Sequence, residues 1–209
     1  MEAVALPTRE HLVATARRLL DAEGLGPLTL REIARRGGLS HGAPLRHFPT
    51  LASLMAAVAA EGFRELVVSV NGAVAEAGPR ATALDRLAAA SRGYARFATG
   101  GPGVFALMFH PDRVDRDDPD YRTAGAAAFG QLLELVEAAQ RDGFQPDVPS
   151  ARLASAVWAA VHGLSQLSLQ GALSGAGGED LAPTLDLMNE LLFGVRSGAL
   201  RTPPKRRPR

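Results

Sequence analysis

One stretch of the chain, Thr29 to Thr50, collects side chains that can bind a nucleic acid by charge and hydrogen bonds. It holds four arginines and two histidines against a single acidic residue, Glu32. Arginine can hold a phosphate or bind guanine through two hydrogen bonds. Nowhere in the sequence do a nucleophile, a base and an orienting group fall into a recognisable arrangement. These residues therefore favour binding over catalysis, and we expect no enzyme activity.

Two short helices separated by a glycine turn are predicted to position these side chains. Thr29 is expected to cap the first helix, and Glu32, three residues later, to reach back to it. The pair Gly37-Gly38 ends that helix, because glycine enters left-handed backbone conformations without steric cost. The pattern predicts a first short helix followed by a tight turn.

The second short helix is predicted to run to about His47, with Ser40 placed to cap it. Pro44 removes a backbone N–H, which predicts a helix that starts late or is distorted in its first turn. Helix, glycine turn and helix form the outline of a helix-turn-helix, whose second helix can lie in the DNA major groove.

A preceding helix, from Thr8 to about Gly24, is predicted to complete a small three-helix core. Its apolar residues recur at helical spacing. They are Leu12, Val13, Ala16, Leu19 and Leu20. We expect them to pack on the two short helices, with Phe48 as a core anchor and not a DNA contact.

The first quarter of the chain, about Thr8 to Val58, resembles the DNA-binding domain of the tetracycline-repressor (TetR) family. The residues that carry the resemblance are Glu32-Ile33-Ala34, Gly38-Leu39-Ser40, Gly42-Ala43 and Arg46-His47-Phe48-Pro49. Two positions depart from the family pattern. Leu45 stands where the family usually has an aromatic residue and Leu51 where it usually has lysine, and both family residues usually contact phosphates. The departures bear on affinity for DNA.

We predict eight DNA-binding residues, each of which has the alternative of being a solvated side chain. Those facing the groove are Ser40, His41, Gly42, Ala43 and Arg46, and those on phosphates are Thr29, Arg31 and His47. Glycine and alanine let the backbone approach closely and can touch a thymine methyl. Arg46 can bind a guanine or hold a phosphate, and the sequence does not choose between these contacts.

The composition indicates an all-helical protein, because alanine and leucine abound and no strand-like alternation lasts. Absence of cysteine excludes a disulfide framework and thiol chemistry. The N-terminus lacks a basic start followed by an apolar run, so we expect no signal peptide and a cytoplasmic location. The net charge is +1, but the last nine residues carry five positive charges and no acid. This uneven balance fits a modest electrostatic contact with DNA.

About nine helices are predicted, three of them in a helix-turn-helix domain at 1–50. A helical-bundle domain for ligand binding and dimerisation is predicted at 51–198, and a disordered basic tail at 199–209. The long helix at about 51–77 links the two domains. The remaining helices are expected at about 81–98, 103–109, 119–142, 151–173 and 181–197.

The penultimate helix lies in a run of 26 residues, Leu153 to Gly178, that carries no charge. Its length alone would fit a membrane span, but serine, glutamine and histidine recur too often, and we expect no membrane partner. A helix without charge on any side requires burial on more than one face. We therefore predict a homodimer through a four-helix bundle made of the helices at about 151–173 and 181–197 of each chain.

The second half also resembles a TetR subgroup whose C-terminal domain carries a Trp…His-Gly signature. Here the signature stands as Trp158, His162 and Gly163, and the segment 97–109 resembles the same subgroup's junction between helices 5 and 6. This resemblance implies a fold more than a ligand.

Aromatic residues and methionine could line an apolar ligand pocket in the helical domain, with Tyr94 and His162 as its polar groups. The predicted ligand-binding residues are Phe63, Tyr94, Phe97, Phe105, Met108, Phe129, Trp158 and His162. The alternative for each is plain core packing, and Trp158 and His162 could also lie in the dimer interface. The acidic loop at 110–120 lacks the spacing of a calcium site, so we expect a solvated connector and no metal or cofactor.

The resemblance implies a one-component transcriptional regulator, a repressor in most such proteins. The homodimer would bind a palindromic DNA operator with its second helices in successive major grooves and be released by a small, largely apolar effector. The alternative is a helical small-molecule-binding protein whose helix-turn-helix no longer binds DNA, which Leu45 and Leu51 motivate.

Overall fold

The computed structural model describes residues 8–26, 28–40, 42–173 and 181–195. Within these ranges the chain forms nine α-helices and no strand, which confirms the all-helical prediction. The helices are α1 (Thr8–Glu23), α2 (Leu30–Arg36), α3 (Ala43–His47), α4 (Leu51–Glu76), α5 (Ala83–Gly100), α6 (Pro102–Met108), α7 (Pro119–Arg141), α8 (Ser150–Leu169) and α9 (Leu181–Phe193). None of them combines the length and apolar character that a membrane crossing requires.

The described residues group by their contacts into two compact units. The first unit comprises residues within 1–69 and 96–131, and the second comprises residues within 70–95 and 132–209. Helices α4, α5 and α7 contribute residues to both. The predicted domain boundaries at 50 and 198 rest on a different criterion and stay predictions. The predicted disordered tail, 199–209, lies outside the described residues.

Helices α1, α2 and α3 pack together in the first unit. The five apolar residues predicted for the α1 stripe are all buried, as is Ile33 of α2. Phe48, just after α3, is only 3% exposed, so its prediction as a core anchor is confirmed. Burying a phenylalanine contributes about 1.5–3 kcal/mol to folding. The guanidinium of Arg9 lies 5.3 Å from the centre of the Phe48 ring, which adds a cation–π contact from α1.

Helix α6 packs closely against two other helices of the first unit. A Cβ on Gly103 would overlap the carbonyl group of Leu20 in α1, so the two backbones are in contact. A Cβ on Gly62 of α4 would lie 2.7 Å from Sδ of Met108 and 2.8 Å from a methyl carbon of Val104. Both approaches are possible because glycine has no side chain. Helix α6 therefore packs closely against both α1 and α4, in each case at a glycine whose lack of a side chain permits the approach.

In the second unit, α9 packs against α8 and contacts α5. The Arg92 guanidinium of α5 donates to the Asp186 carboxylate of α9 at 3.0 Å. The rings of Phe144 and Phe193 meet edge to face with centroids 6.0 Å apart. Helix α8 ends at Leu169, four residues before its predicted end at 173, because Gly171 adopts a left-handed conformation with φ of 69°.

Candidate DNA interface and ligand-binding residues

The capping box predicted at the start of α2 has two hydrogen bonds, and the structure shows one of them. The backbone N–H of Glu32 donates to Oγ1 of Thr29 at 3.1 Å, which confirms Thr29 as the N-cap. The prediction that the Glu32 side chain reaches back to Thr29 is wrong. Its carboxylate instead accepts hydrogen bonds from Nε of Arg35 and Nε of Arg36, each at 2.8 Å. Arginines three and four residues later are charged donors on the same helix face, so they hold the carboxylate away from the backbone.

The ion pairs of Glu32 with Arg35 and Arg36, called the Glu32 cluster below, reduce the net positive charge that α2 exposes. The bonds from Arg35 and then Arg36 lower the pKa of Glu32 to about 2. Arg36 also donates to the Glu23 carboxylate of α1 at 2.6 Å. Two of the four arginines in the stretch are thus paired with acids inside the protein. Arg31 and Arg46 are exposed and form no ion pair with any residue in the described ranges.

The glycine turn between α2 and α3 has the geometry of a helix C-terminus. Gly38 has φ of 67°, and the N–H of Leu39 donates to the carbonyl of Ala34 at 2.9 Å. Nε2 of His11, on α1, donates to the carbonyl of Gly37 at 2.8 Å. The turn is therefore fixed both by its own backbone and by α1.

Helix α3 starts later than its predicted cap. Its N-cap is Gly42, which has no side chain to bond the backbone, so the prediction that Ser40 caps this helix is wrong. Pro44 lies in the first turn, where a missing N–H is tolerated because no carbonyl is there to receive it. The late start predicted from Pro44 is confirmed.

The two faces of α3 differ in exposure. Pro44 and Phe48, four residues apart, are buried, whereas Leu45, Arg46 and His47 are exposed. Of the eight predicted DNA-binding residues, six have a described exposure and all six are exposed. They are Thr29, Arg31, Ser40, Gly42, Arg46 and His47. His41 lies outside the described residues, and Ala43 is described by its backbone alone, as the first residue of α3. Their contacts with DNA stay predictions.

Part of the predicted ligand-binding set forms an aromatic cluster in the first unit. The Phe97 ring meets Phe105 at 6.4 Å between centroids, Phe105 meets Phe109 at 5.5 Å, and Phe109 meets Phe63 at 5.6 Å. All three pairs have the edge-to-face geometry that aromatic rings prefer. The Tyr121 ring also contacts Phe63, at 5.7 Å. Phe109 and Tyr121 were missed from the sequence, although Phe109 ends the segment 97–109 that carried the resemblance.

The other two predicted residues of the first unit differ in exposure. Met108 of α6 is fully buried against Gly62. Phe129 lies on α7 and is half-buried.

Three predicted residues form a polar cluster in the second unit. Nε1 of Trp158 donates to Oη of Tyr94 at 3.2 Å, and that oxygen lies 2.8 Å from Nδ1 of His162. Because Trp158 can only donate, Tyr94 accepts from it and has its own proton left to donate to Nδ1 of His162. Burial raises the pKa of Tyr94 and lowers the pKa of His162, so both groups are held neutral. The three side chains form one uncharged hydrogen-bonded chain.

The predicted pocket residues therefore fall into two sets. Five belong to the first unit, where the rings of Phe63, Phe97 and Phe105 belong to one aromatic cluster, and three belong to the second, where they are joined by hydrogen bonds. Whether they bind a ligand stays a prediction.

The acidic loop before α7 has a structural role. Oδ1 of Asp118 accepts from the backbone N–H groups of Asp120 and Tyr121, both at 2.9 Å, which caps α7. The N–H of Asp115 donates to the carbonyl of Ala52 at 3.1 Å. Among the described residues, no three histidines or carboxylates are grouped so that they could hold a metal ion.

Comparison with known proteins decides the family. Residues 12–58 match the bacterial regulatory proteins of the tetR family, and residues 87–192, half of the chain, match the tetracyclin repressor-like C-terminal domain. The chain belongs to the TetR family. It is a helix-turn-helix, DNA-binding transcriptional regulator. The finer resemblance to a subgroup, through Trp158, His162 and Gly163, stays a prediction.

Individual proteins to which the chain is similar are consistent with this assignment. The chain is 27% identical, over 83% of its length and 77% of the relative's, to the uncharacterised HTH-type transcriptional regulator Rv0681 of Mycobacterium tuberculosis. A protein of unknown function from Rhodococcus sp. RHA1 superposes with a TM-score of 0.79 at 29% identity, covering 92% of this chain and 97% of that one. A tetR-family regulatory protein from Rhodococcus RHA1 superposes with a TM-score of 0.68 at 20% identity, covering 91% and 97% of the two chains, a likeness that shows the fold.

Proposed function

We propose that this regulator is a repressor that binds a palindromic operator as a homodimer in the cytoplasm and is released by a small, largely apolar effector. The observation that carries the proposal is the exposed surface of the helix-turn-helix. Arg46 on α3 and Arg31 on α2 are exposed and pair with no acidic side chain in the described ranges, whereas Arg35 and Arg36 are paired with Glu32 and Glu23. An exposed cation without an acidic partner is available to a phosphate or a guanine.

The DNA part of the proposal is tested by selecting duplexes from a randomised pool and measuring binding at two salt concentrations. Arg46→Ala is expected to weaken binding to the selected operator about 10- to 100-fold if Arg46 reads a guanine. If it holds a phosphate, the salt dependence of binding falls by about one counterion per subunit. Arg122→Ala, which removes an exposed arginine from α7, is the control and should bind as the parent does. If Arg46→Ala binds the operator as tightly as the parent at both salt concentrations, the proposal that α3 reads the DNA is wrong.

The homodimer is supported by the apolar side chains that α8 and α9 expose. Leu191 is 77% exposed, and Trp158, Leu167, Leu187 and Leu192 on the same two helices are also exposed. Large apolar patches on a soluble surface mark interaction sites. Leu191→Glu should convert a dimer into a monomer by light scattering and abolish operator binding. Val68→Glu is the matched control, because Val68 is 69% exposed but lies on α4. A parent that scatters as a monomer at micromolar concentration would overturn this part.

The effector site is proposed to include the cluster of Tyr94, Trp158 and His162. Its support is a group of three neutral side chains on α5 and α8 that hydrogen-bond to one another, with Tyr94 buried. Small-molecule sites usually combine an apolar lining with a few such polar groups. Trp158 is the single tryptophan of the chain, so tryptophan fluorescence reports on the surroundings of this one side chain. A compound that releases the operator should change that fluorescence, and Tyr94→Phe should weaken its effect. A releasing compound that leaves the fluorescence unchanged would place the effector elsewhere.

Release of DNA requires that the effector favour a conformation in which the helix-turn-helix no longer fits the operator. Coupling free energies between two such sites are typically about 1–3 kcal/mol. We propose that α6 carries part of this coupling, since it contacts α1 through Gly103 and α4 through Gly62.

A further inference from the structure

Helix α3 exposes a leucine beside the arginine that we propose contacts DNA. Leu45 is 64% exposed, and it is followed by the exposed Arg46 and His47. The same helix buries Pro44 and Phe48, so its orientation is fixed by the core. A single exposed leucine on a protein surface is ordinary. Leu45 differs from an ordinary exposed leucine because it lies on the outward face of the helix that we propose contacts DNA.

Gly42 supplies a second, independent observation on the same face. Residues three and four apart are neighbours on a helix, which groups Gly42 with Leu45 and Arg46. Apart from its two chain neighbours, a Cβ on Gly42 would meet no atom of the described residues within 4 Å, and its φ of −86° is accessible to any residue. Neither packing nor backbone conformation inside the protein therefore requires glycine here. The missing side chain leaves room for a partner to approach this end of α3 closely.

The chemistry of leucine limits what Leu45 can contact on a duplex. Leucine has no donor or acceptor, so it cannot bond a phosphate or the polar edge of a base. In the major groove the apolar group that distinguishes one base from the others is the 5-methyl of thymine. We propose that Leu45 reads a thymine in each operator half-site through this methyl group. The inference rests on the proposed function, in which α3 is the reading helix.

The test replaces thymine by deoxyuridine, which removes only the 5-methyl group. Each thymine of the selected operator is replaced in turn, in both half-sites, and binding is measured by fluorescence anisotropy. At one position the parent protein should bind about three- to fivefold more weakly per half-site, the effect of one buried methyl group. Leu45→Ala should show no loss at that position, and duplexes selected with Leu45→Ala should no longer prefer thymine there. Since Leu45 is exposed, this variant should melt as the parent does.

Val68→Ala is the matched control, because it shortens an exposed apolar side chain on α4 and should keep the deoxyuridine effect in full. The inference is overturned if no replacement weakens the parent, or if Leu45→Ala shows the same loss. It is also overturned if Leu45→Ala weakens every duplex equally, which indicates contact with the sugar–phosphate backbone.

The two proposals fail in distinguishable ways. Suppose that Arg46→Ala weakens binding to a specific operator but replacing thymine by deoxyuridine has no effect. The proposal that α3 reads the DNA then stands, and the proposed role of Leu45 is wrong. If the randomised pool yields no specific duplex at all, both proposals fail together.

Discussion

Gly103 lies against the carbonyl group of Leu20 so closely that it has no room for a Cβ. The contact joins α6 to the end of α1, the helix whose other residues build the core of the helix-turn-helix. Its tolerance is small, because both sides of the contact are backbone and cannot rotate away as a side chain can. Any shift of α6 along its axis therefore displaces Gly103 from the place where it fits.

Gly103→Ala tests this contact. We expect the free energy of unfolding to fall by about 1–3 kcal/mol, since an added methyl group in a filled interface forces the surrounding structure to move. Urea denaturation measures the change. The variant should also bind the operator more weakly although it alters no residue on the DNA-facing surface.

Gly72→Ala is the control for Gly103→Ala. A Cβ at Gly72, in an exposed part of α4, would meet nothing within 4 Å in the part of the chain that the structure describes. Alanine is a better helix former, so this variant should gain up to about 1 kcal/mol and bind DNA normally. If both alanine variants were equally stable, the close approach of α6 and α1 would be contradicted.

Tyr94→Phe tests the polar cluster of the second unit. The substitution takes one oxygen away from two partners, Nε1 of Trp158 and Nδ1 of His162. We expect a loss of about 1–3 kcal/mol, because partly buried polar groups that lose their partner retain the penalty of desolvation. Thermal unfolding with calorimetry gives the difference.

Tyr121→Phe is the comparison, since Oη of Tyr121 donates a single hydrogen bond, to the carbonyl of Met108 at 3.0 Å. Its loss should be about 0.5–1.5 kcal/mol. If Tyr121→Phe lowered the free energy of unfolding more than Tyr94→Phe, water would be replacing the lost hydrogen bonds of the Tyr94 hydroxyl without penalty.

The Glu32 carboxylate should titrate far below an ordinary glutamate. Hydrogen bonds from Arg35 and Arg36 lower its pKa to about 2 in the folded protein, against 4.5 for a free glutamate side chain. Because the folded pKa is the lower one, the stabilisation is present above pH 4.5 and is lost as the pH falls toward 2. Carboxyl-carbon NMR measures the titration directly.

Two variants separate the causes of the low Glu32 pKa. Arg35→Ala should raise it more than Arg36→Ala does, since the bond from Arg35 is the larger cause. An ordinary titration near pH 4.5 in the parent would contradict the cluster.

Local patterns in the sequence predicted the elements but not the competition among side chains. Thr29 could be assigned as a cap because its role depends on residues within one turn. The partner of Glu32 could not, since two arginines on the same face offered a stronger alternative to the backbone. Ser40 failed as a cap for a related reason, because Pro44 moved the start of α3 beyond its reach.

Contacts between distant segments were the harder part of the candidate site. Tyr94 and His162 were both named from the sequence, but their hydrogen bond spans 68 positions along the chain and no local pattern encodes it. Tyr121 was missed because it follows an acidic loop, whereas its ring meets Phe63 of α4. The close approach at Gly103 likewise depends on Leu20 of another helix.

The last prediction concerns the dependence of stability on pH through His162. Burial lowers the pKa of His162 below its ordinary 6.5, so below pH 6.5 the unfolded chain takes up a proton that the folded protein resists. Stability should therefore fall as the pH drops from 6.5 toward the folded pKa. His162→Gln should flatten this dependence, measured as the unfolding temperature between about pH 7 and 5.

Trp158 gives a local reading of the same event. Protonation turns Nδ1 of His162 from an acceptor into a donor, so the Tyr94 hydroxyl loses its acceptor and must rearrange. Trp158 donates to that same hydroxyl oxygen and is the single fluorophore of its kind in the chain. Its emission should therefore shift with a midpoint below pH 6.5, and the shift should vanish in His162→Gln. A midpoint at or above 6.5 would mean that the imidazole is solvated, and the uncharged chain of three side chains would not describe the folded protein.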